Sequence, residues 1–514
     1  LEASPSSAAT PAKPLQGLRL VVTGLDLQQQ EHRGIAAYSK ALLKALACSG
    51  AELWLLTDFE PKLSGGSLRR ASAGAKQLVF AARVLEALNR GFQSTPWPLA
   101  ATVLARRSAV AKKAIQAWRL LQELPGYVLL RRVYKLNQAK RVDLLTLFDS
   151  PYIRIERLRY FEDLTGILCA RNLYINSFRA AAGRHSQPIA VELGPFDGLI
   201  STCPLHLRTC GNGPFVQTIH DLIPLEYVQT TDHAGAFSRR LESCLATGRL
   251  FVSSSTQRKF KATFGEASGT GEAVLIQPPS LQLPEPHQWS LADQNLLRPS
   301  PRLKGERGNL QAFRYVLFNS SVEPRKNLLF VIRAYRRSGL AEQGIRLCVT
   351  GQLKQDDYSR SVAEQADESV LLTGYIDEPT KALLFLNALM VLSPSLVEGF
   401  GIPVLDAACL GAGVIASPSE SHREIQAMHD FQSLVWLCDT RDPLDWAIAM
   451  QRLAAEESTR IGLSSGSGSG ERQRRLRRYR HQQDQVFEAF RGAVCQQVMA
   501  ELARSKREEP GAHG

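Results

Sequence analysis

The sequence predicts two doubly wound α/β domains facing each other across a crevice, with a terminal helix that crosses back from the second to the first. Three observations carry this. Short apolar strands alternate with amphipathic helices in both halves of the chain, a Pro-rich polar stretch divides the halves, and 514 residues exceed what one ordinary core organises. A hydrophobic content of 44% and a charged content of 22% belong to a chain that folds in water, and no apolar run is long enough to span a bilayer as a helix.

Residues 1–15, rich in Ala, Ser and Pro, lack the charged head and apolar middle of a signal peptide and read as a disordered leader, so a cytoplasmic location is expected. The first domain is expected over residues 16–290. It opens with the strand LRLVVT (residues 18–23), a polar loop, Gly34, a helix from Ile35 through Leu46 and a second strand over residues 52–57. From about 63 to 141 the alternation gives way to basic helical stretches. Among them, Leu104, Val110, Ile115, Trp118 and Leu121 interleave with Arg and Lys, a pattern that suits either a solvated insertion or contact with an anionic membrane surface. Strand character returns over residues 198–201 and 215–219, the latter running into His220.

Residues 277–307 are rich in Pro and polar side chains, and the linker is set at 291–310. The second domain, 311–462, alternates cleanly, starting with the strand at 315–318 and the helix at 327–337. Such spacing implies a parallel sheet covered on both faces. SSGSGSG gives a flexible linker at 463–470, and a basic crossover helix is expected over 471–503 before a tail at 504–514. The helix carries Val486, Phe487, Phe490, Val494 and Val498 on one side, a stripe that must bury against something.

Lys and Arg number 62 against 49 acids, a net charge of +13, which attracts phosphate on a nucleotide, a nucleic acid or a membrane. No zinc-finger spacing or basic-aromatic RNA-binding motif is present, so nucleic acid is not an expected partner. The nine cysteines form no framework and read as reduced thiols; Cys203, His206, Cys210 and His220 are not spaced like a structural zinc site, and no metal ligand set is assigned.

Four segments can carry chemistry. SLVEGFGIPVLD (residues 395–406) follows a buried strand. Pro403 suits a first helical turn, Gly399 and Gly401 expose backbone amides, and Glu398 and Asp406 offer two carboxylates to ligand hydroxyls at different depths. A helix N-terminus at the carboxyl end of a parallel sheet is where a diphosphate is electrostatically favoured. Glu323-Pro-Arg-Lys-Asn327 supplies a guanidinium fork and a point charge in Arg325 and Lys326. TIHDLIP (218–224) aims His220 at the crevice, and Arg33-Gly34-Ile35 permits close backbone approach at the first loop. Each has a plain structural alternative: a capped loop, a solvated surface pair, a satisfied histidine.

Taken together, these segments resemble retaining glycosyltransferases of the GT-B fold, specifically glycosyltransferase family 4 (glycosyl transferases group 1). EGFGIPVLD resembles that family's motif of two acids separated by seven residues, FNSSVEPRKN its phosphate-binding turn and TGYIDEP its nucleobase loop. TIHDLIP resembles its first-domain histidine motif and RGIAAYSKAL its acceptor-side loop. The resemblance implies that Glu398 binds the donor sugar, Arg325 and Lys326 the diphosphate, and His220 the sugar near the reacting carbon. It puts the backbone of Gly399, Phe400 and Gly401 on the sugar, Tyr375 and Ile376 near the base, Asp406 on the ribose and Gly34 in the acceptor-side loop. The second acid is usually Glu, and Ser320 stands where many members have Arg.

Membership of that family would make the protein a hexosyltransferase of mannose or glucose type, using a nucleoside-diphosphate sugar and a glycan or lipid-linked acceptor in polysaccharide synthesis, with no cofactor or metal. The alternatives are a nucleotide-sugar hydrolase or epimerase of the same fold and, from another class, a nucleic-acid-binding protein.

Overall fold

The computed structural model describes residues 13–30, 32, 34–62, 71–92, 130–144, 155–183, 187–227, 233–266, 270–283, 296–297, 310–428, 430–462 and 468–508. The C-terminal half holds a six-stranded, wholly parallel sheet. Its spatial order is Val370–Gly374, Arg346–Thr350, Tyr315–Asn319, Met390–Ser393, Gly413–Ala416 and Val435–Leu437. Numbered along the chain this is 3-2-1-4-5-6, a dinucleotide-fold order, and direction reverses between Tyr315–Asn319 and Met390–Ser393. Strands such as VLS and GVIA are buried throughout because helices cover both faces, which is why they read as unbroken apolar runs.

The N-terminal half holds an eight-stranded sheet. Its order is Glu272–Val274, Gly248–Phe251, Phe215–Ile219, Gly198–Ser201, Arg19–Thr23, Glu52–Thr57, Gly166–Cys169 and Lys140–Asp143, parallel except for the last. Here the reversal lies between Arg19–Thr23 and Gly198–Ser201, so the first loop and the segment after Ser201 open onto the same crevice. Val133–Lys135, Ile189–Glu192 and Leu207–Thr209 form a small parallel side sheet.

Several sequence expectations need correction. The basic insertion is not helical to its end. Ala73–Arg90 is a helix capped by Ser72, but Val133–Lys135 and Lys140–Asp143 are strands that pair with the domain. Residues 93–129, with Trp118 and its basic neighbours, lie outside the described residues, as do 1–12 of the expected leader. The linker is not wholly irregular, since Leu296–Leu297 pairs antiparallel with Leu310–Gln311. The terminal helix is longer than its reading, running from Gly468 to Glu508, so the last Gly-Ser-Gly of the expected flexible linker is its first turn.

That helix crosses from the second domain to the first. At its start Arg475, fully buried, donates to the carbonyls of Leu386 (3.1 Å) and Ala388 (2.8 Å) and pairs with Glu471 at 2.8 Å. Further on, Phe490, Val494 and Val498 are buried in a core shared with Tyr38, Leu42 and Leu46 of the Gly34–Cys48 helix; the Tyr38 and Phe490 rings meet edge to face at 5.7 Å. The stripe therefore packs on the first domain, and burial of its apolar area is what holds the crossing in place. Among the described residues no helix is long and apolar enough to cross a membrane.

Candidate active site

The crevice between the sheets is a cleft of about 1280 Å³ whose walls include His220, Arg325, Lys326, Tyr375, Ile376, Glu398, Gly399, Phe400, Gly401, Asp406 and Gly34. Every residue that the resemblance assigns to the site thus reaches one space. On the C-terminal side they come mainly from the two loops at the reversal point. One loop follows Tyr315–Asn319 and carries Arg325 and Lys326; the other follows Met390–Ser393 and carries Glu398 to Gly401. The loops are stitched together where the Leu396 N–H donates to the Arg325 carbonyl at 2.8 Å.

The Glu398 loop is built for close approach. Gly401, at φ +101°, caps the helix Ile402–Leu410, with Pro403 in its first turn. A Cβ on Gly401 would stand 2.8 Å from His422 Cδ2, and one on Gly399 only 2.5 Å from the His220 carbonyl oxygen. Side chains at either position would separate the domains or displace His422. Glycine is required at 399 by packing, and at 401 by packing and backbone conformation together.

Lys326 Nζ donates to Glu398 Oε1, and both side chains are about 10% exposed. Burial alone would raise the Glu398 carboxyl; Lys326 beside it, with His422 and Arg325 beyond, overcomes that and holds it at about 2. Glu398 is an anion at any physiological pH. Arg325 is steadied by Glu323 at 3.1 Å, which also pairs with Lys354 at 2.7 Å.

On the opposite wall burial lowers His220 to about 4, against the opposing effect of the Thr202 carbonyl that its Nε2 meets at 2.7 Å. A carbonyl only accepts, so Nε2 carries the hydrogen and Nδ1 is the acceptor nitrogen of a neutral ring. Tyr38 packs edge-on against it at 4.8 Å.

Asp406 has a different environment. It lines the cleft but is only 2% exposed, and both its oxygens are engaged: Oδ1 accepts the Ser280 N–H (2.6 Å) and the Tyr479 hydroxyl (2.9 Å), and Oδ2 accepts the Ser280 hydroxyl (2.7 Å). Burial pushes its carboxyl up, more than Lys381 and these donors pull it down. Tyr375 is 54% exposed at the rim, Ile376 packs partly into the core, and Gly34 lies so close to Ile402 that a Cβ would meet its Cδ1 at 3.1 Å.

Sequence reasoning missed several participants. His422 lies beneath Gly401, Ser280 and Tyr479 hold Asp406, and Gly351 faces Ser320 so closely that a Cβ would overlap the Ser320 oxygen. Only Gly351 had a local signal, a glycine ending the apolar strand Arg346–Thr350; the others depend on contacts distant in sequence. Among the described residues no cluster of three or more His, Cys, Asp or Glu could hold a metal, and His206 Nδ1 is engaged by Ser243 instead.

Residues 302–465 match the family described as glycosyl transferases group 1. The C-terminal domain is that of a glycosyltransferase. Within the matched span lie Arg325, Lys326, Glu398 and Asp406, together with both loops at the reversal point. The chain is also 29% identical over 116 residues to O-antigen chain mannosyltransferase B of Escherichia coli, a stretch that spans 22% of this chain and 30% of that relative. Similar solved structures include a sucrose-phosphate synthase from Thermosynechococcus elongatus, at 14% identity and a TM-score of 0.49, covering 96% of this chain and 100% of that one. Another is an α,α-trehalose-phosphate synthase (UDP-forming) from Burkholderia vietnamiensis, at 11% identity and a TM-score of 0.47, covering 94% and 100%. Identities this low say nothing of donor or acceptor.

Proposed function

We propose that the protein transfers a hexose, with retention of configuration, from a nucleoside-diphosphate sugar to a glycan or lipid-linked acceptor. The observation that carries this reading is the Lys326–Glu398 pair at the start of the Ile402–Leu410 helix, facing His220 across the cleft. A carboxylate held at about 2 cannot protonate a leaving group; it can accept hydrogen bonds from sugar hydroxyls and stabilise positive charge developing at an anomeric carbon. Arg325, Lys326 and the backbone amides at the helix start oppose the negative charge that builds on a departing diphosphate. His220 would accept a sugar hydroxyl at Nδ1 while remaining neutral.

Transfer by this arrangement would need no resident metal, because cations of the chain neutralise the diphosphate. Tyr375 and Ile376 would flank the base. Ribose would be held without Asp406, whose oxygens are committed to Ser280 and Tyr479. The resemblance of residues 315–425 to family 4 and the mannosyltransferase relative favour a mannose or glucose donor in polysaccharide synthesis.

A thermal-shift panel of sugar nucleotides, followed by nucleoside diphosphate release with and without candidate acceptors, tests the reading. One donor class should raise the melting temperature in proportion to the logarithm of its concentration, and release should require acceptor and survive EDTA. Equal release without acceptor would make the protein a hydrolase. Activity abolished by EDTA and restored by manganese would overturn the metal-free mechanism.

A further inference from the structure

On the side of the cleft where His220 meets the Glu398 loop, the two domains are joined by a compact set of hydrogen bonds. Glu424, on the short helix Glu420–Gln426 of the C-terminal domain, accepts the Ser254 N–H at Oε2 (2.9 Å) and the Ser255 N–H at Oε1 (2.6 Å). These amides open the helix Ser254–Phe264 of the N-terminal domain, so a carboxylate from one domain satisfies the amides that begin a helix in the other. The same turn grips both halves of the site. Ser253 Oγ accepts the Thr256 N–H (3.1 Å) and donates to the Gly399 carbonyl (2.9 Å), while Thr256 Oγ1 donates to the His220 carbonyl (3.2 Å). From the C-terminal side Ser421 Oγ donates to the carbonyls of Glu398 (3.1 Å) and Gly399 (3.0 Å).

We propose that Glu424 is a positioning residue for transfer, closing the N-terminal domain onto the Glu398 loop and so setting the distance between His220 and Glu398. The proposal rests on the reading that sugar moves across this cleft. Neither Glu424 nor Ser253 lines the cleft, so each acts through the backbone of His220 and Gly399. The diphosphate loop, by contrast, belongs wholly to the C-terminal domain. Loss of the clasp therefore affects turnover far more than nucleotide affinity, because the reacting groups are misplaced while the donor's anchor is untouched.

The test uses the full chain with Glu424→Ala and Ser253→Ala. In each, kcat is expected to fall at least tenfold, with the dissociation constants for UDP and GDP within twofold of wild type. Hydrogen exchange should quicken at Ser254 and Ser255 in Glu424→Ala and, through the clasp, at residues 398–401 in both variants. Faster exchange confined to 254 and 255, with unchanged kcat in the folded fraction, would reduce Glu424 to a helix cap and overturn the proposal. If wild type releases no nucleoside diphosphate from any donor, the functional reading fails instead, and exchange at 398–401 still decides whether the clasp couples the domains.

Discussion

Glu398 and Asp406 lie on one loop and helix, seven residues between them, Asp406 buried and Glu398 nearly so, both at the wall of one cleft, yet their carboxyls move in opposite directions. Burial raises each. Around Glu398 a lysine, a histidine and an arginine outweigh it, whereas around Asp406 Lys381 and the neutral donors Ser280 and Tyr479 do not. The charges nearby, more than the small difference in burial, therefore yield a committed anion in one place and a hydrogen-bonded brace in the other. The first can take part in chemistry with charge; the second ties the segment before the linker and the terminal helix to the C-terminal domain.

The sharpest way to break this contrast is to remove the cation. Lys326→Met leaves Glu398 buried without its partner, a change expected to cost about 3–5 kcal/mol of stability. Turnover in the remaining folded fraction should drop by at least about a hundredfold, roughly 2.7 kcal/mol. Urea unfolding and steady-state kinetics read the two. A stability loss below about 1 kcal/mol would mean the pair is solvated in solution.

Acid titration gives the next largest effect. A carboxyl lowered from 4.5 to about 2 contributes stability above its ordinary value and loses it as pH falls through the folded value. About 2 kcal/mol of that contribution should be gone by pH 3. Asp406, raised, works oppositely: its ionised form costs stability above its ordinary value, and acid relieves that cost. Wild type should therefore lose stability faster between pH 5 and 3 than Glu398→Gln. Parallel profiles would show that Glu398 is not held low.

Glu398→Gln also bears on chemistry. Removing the charge while keeping the shape should lower turnover at least about tenfold, roughly 1.4 kcal/mol or more, with nucleoside diphosphate binding retained. If the Michaelis constant rises and turnover holds, Glu398 only anchors ground-state sugar.

Legibility in the sequence depended on how far along the chain each feature's partners lie. The C-terminal strands and the Arg325, Lys326 and Glu398 loops were readable, because parallel strands buried on both faces are apolar runs and the loops follow them directly. Gly166–Cys169 and Ile189–Glu192, four residues each, carried too little pattern to stand out. Val133–Lys135 and Lys140–Asp143 were hidden by their Arg and Lys neighbours, since edge strands tolerate charge that looks helical in composition. Asp406 was legible as a position but not as an environment. Its shorter side chain suits a socket made by Ser280, 126 residues earlier, and Tyr479, 73 residues later, and no local pattern reports on partners so far away.

The smallest expected effect is the one that discriminates best between two roles for Asp406. Ser280→Ala removes the hydroxyl on Oδ2 but keeps the backbone N–H on Oδ1, where the Tyr479 hydroxyl also remains. A single hydrogen bond to a buried carboxylate is lost, so stability should fall by about 1 kcal/mol, visible as a shift in the urea midpoint at constant slope. If Asp406 is a brace, the donor Michaelis constant and the affinity for nucleoside diphosphate stay at their wild-type values, because no ligand was using Oδ2. If Asp406 binds ribose in competition with Ser280, freeing Oδ2 should tighten the ribonucleotide, while the 2′,3′-dideoxy nucleotide, which has no ribose hydroxyl to offer, gains nothing. Tighter ribonucleotide binding of that kind would return Asp406 to the donor site and make Ser280 its competitor; unchanged binding with the stability loss leaves the contrast with Glu398 standing.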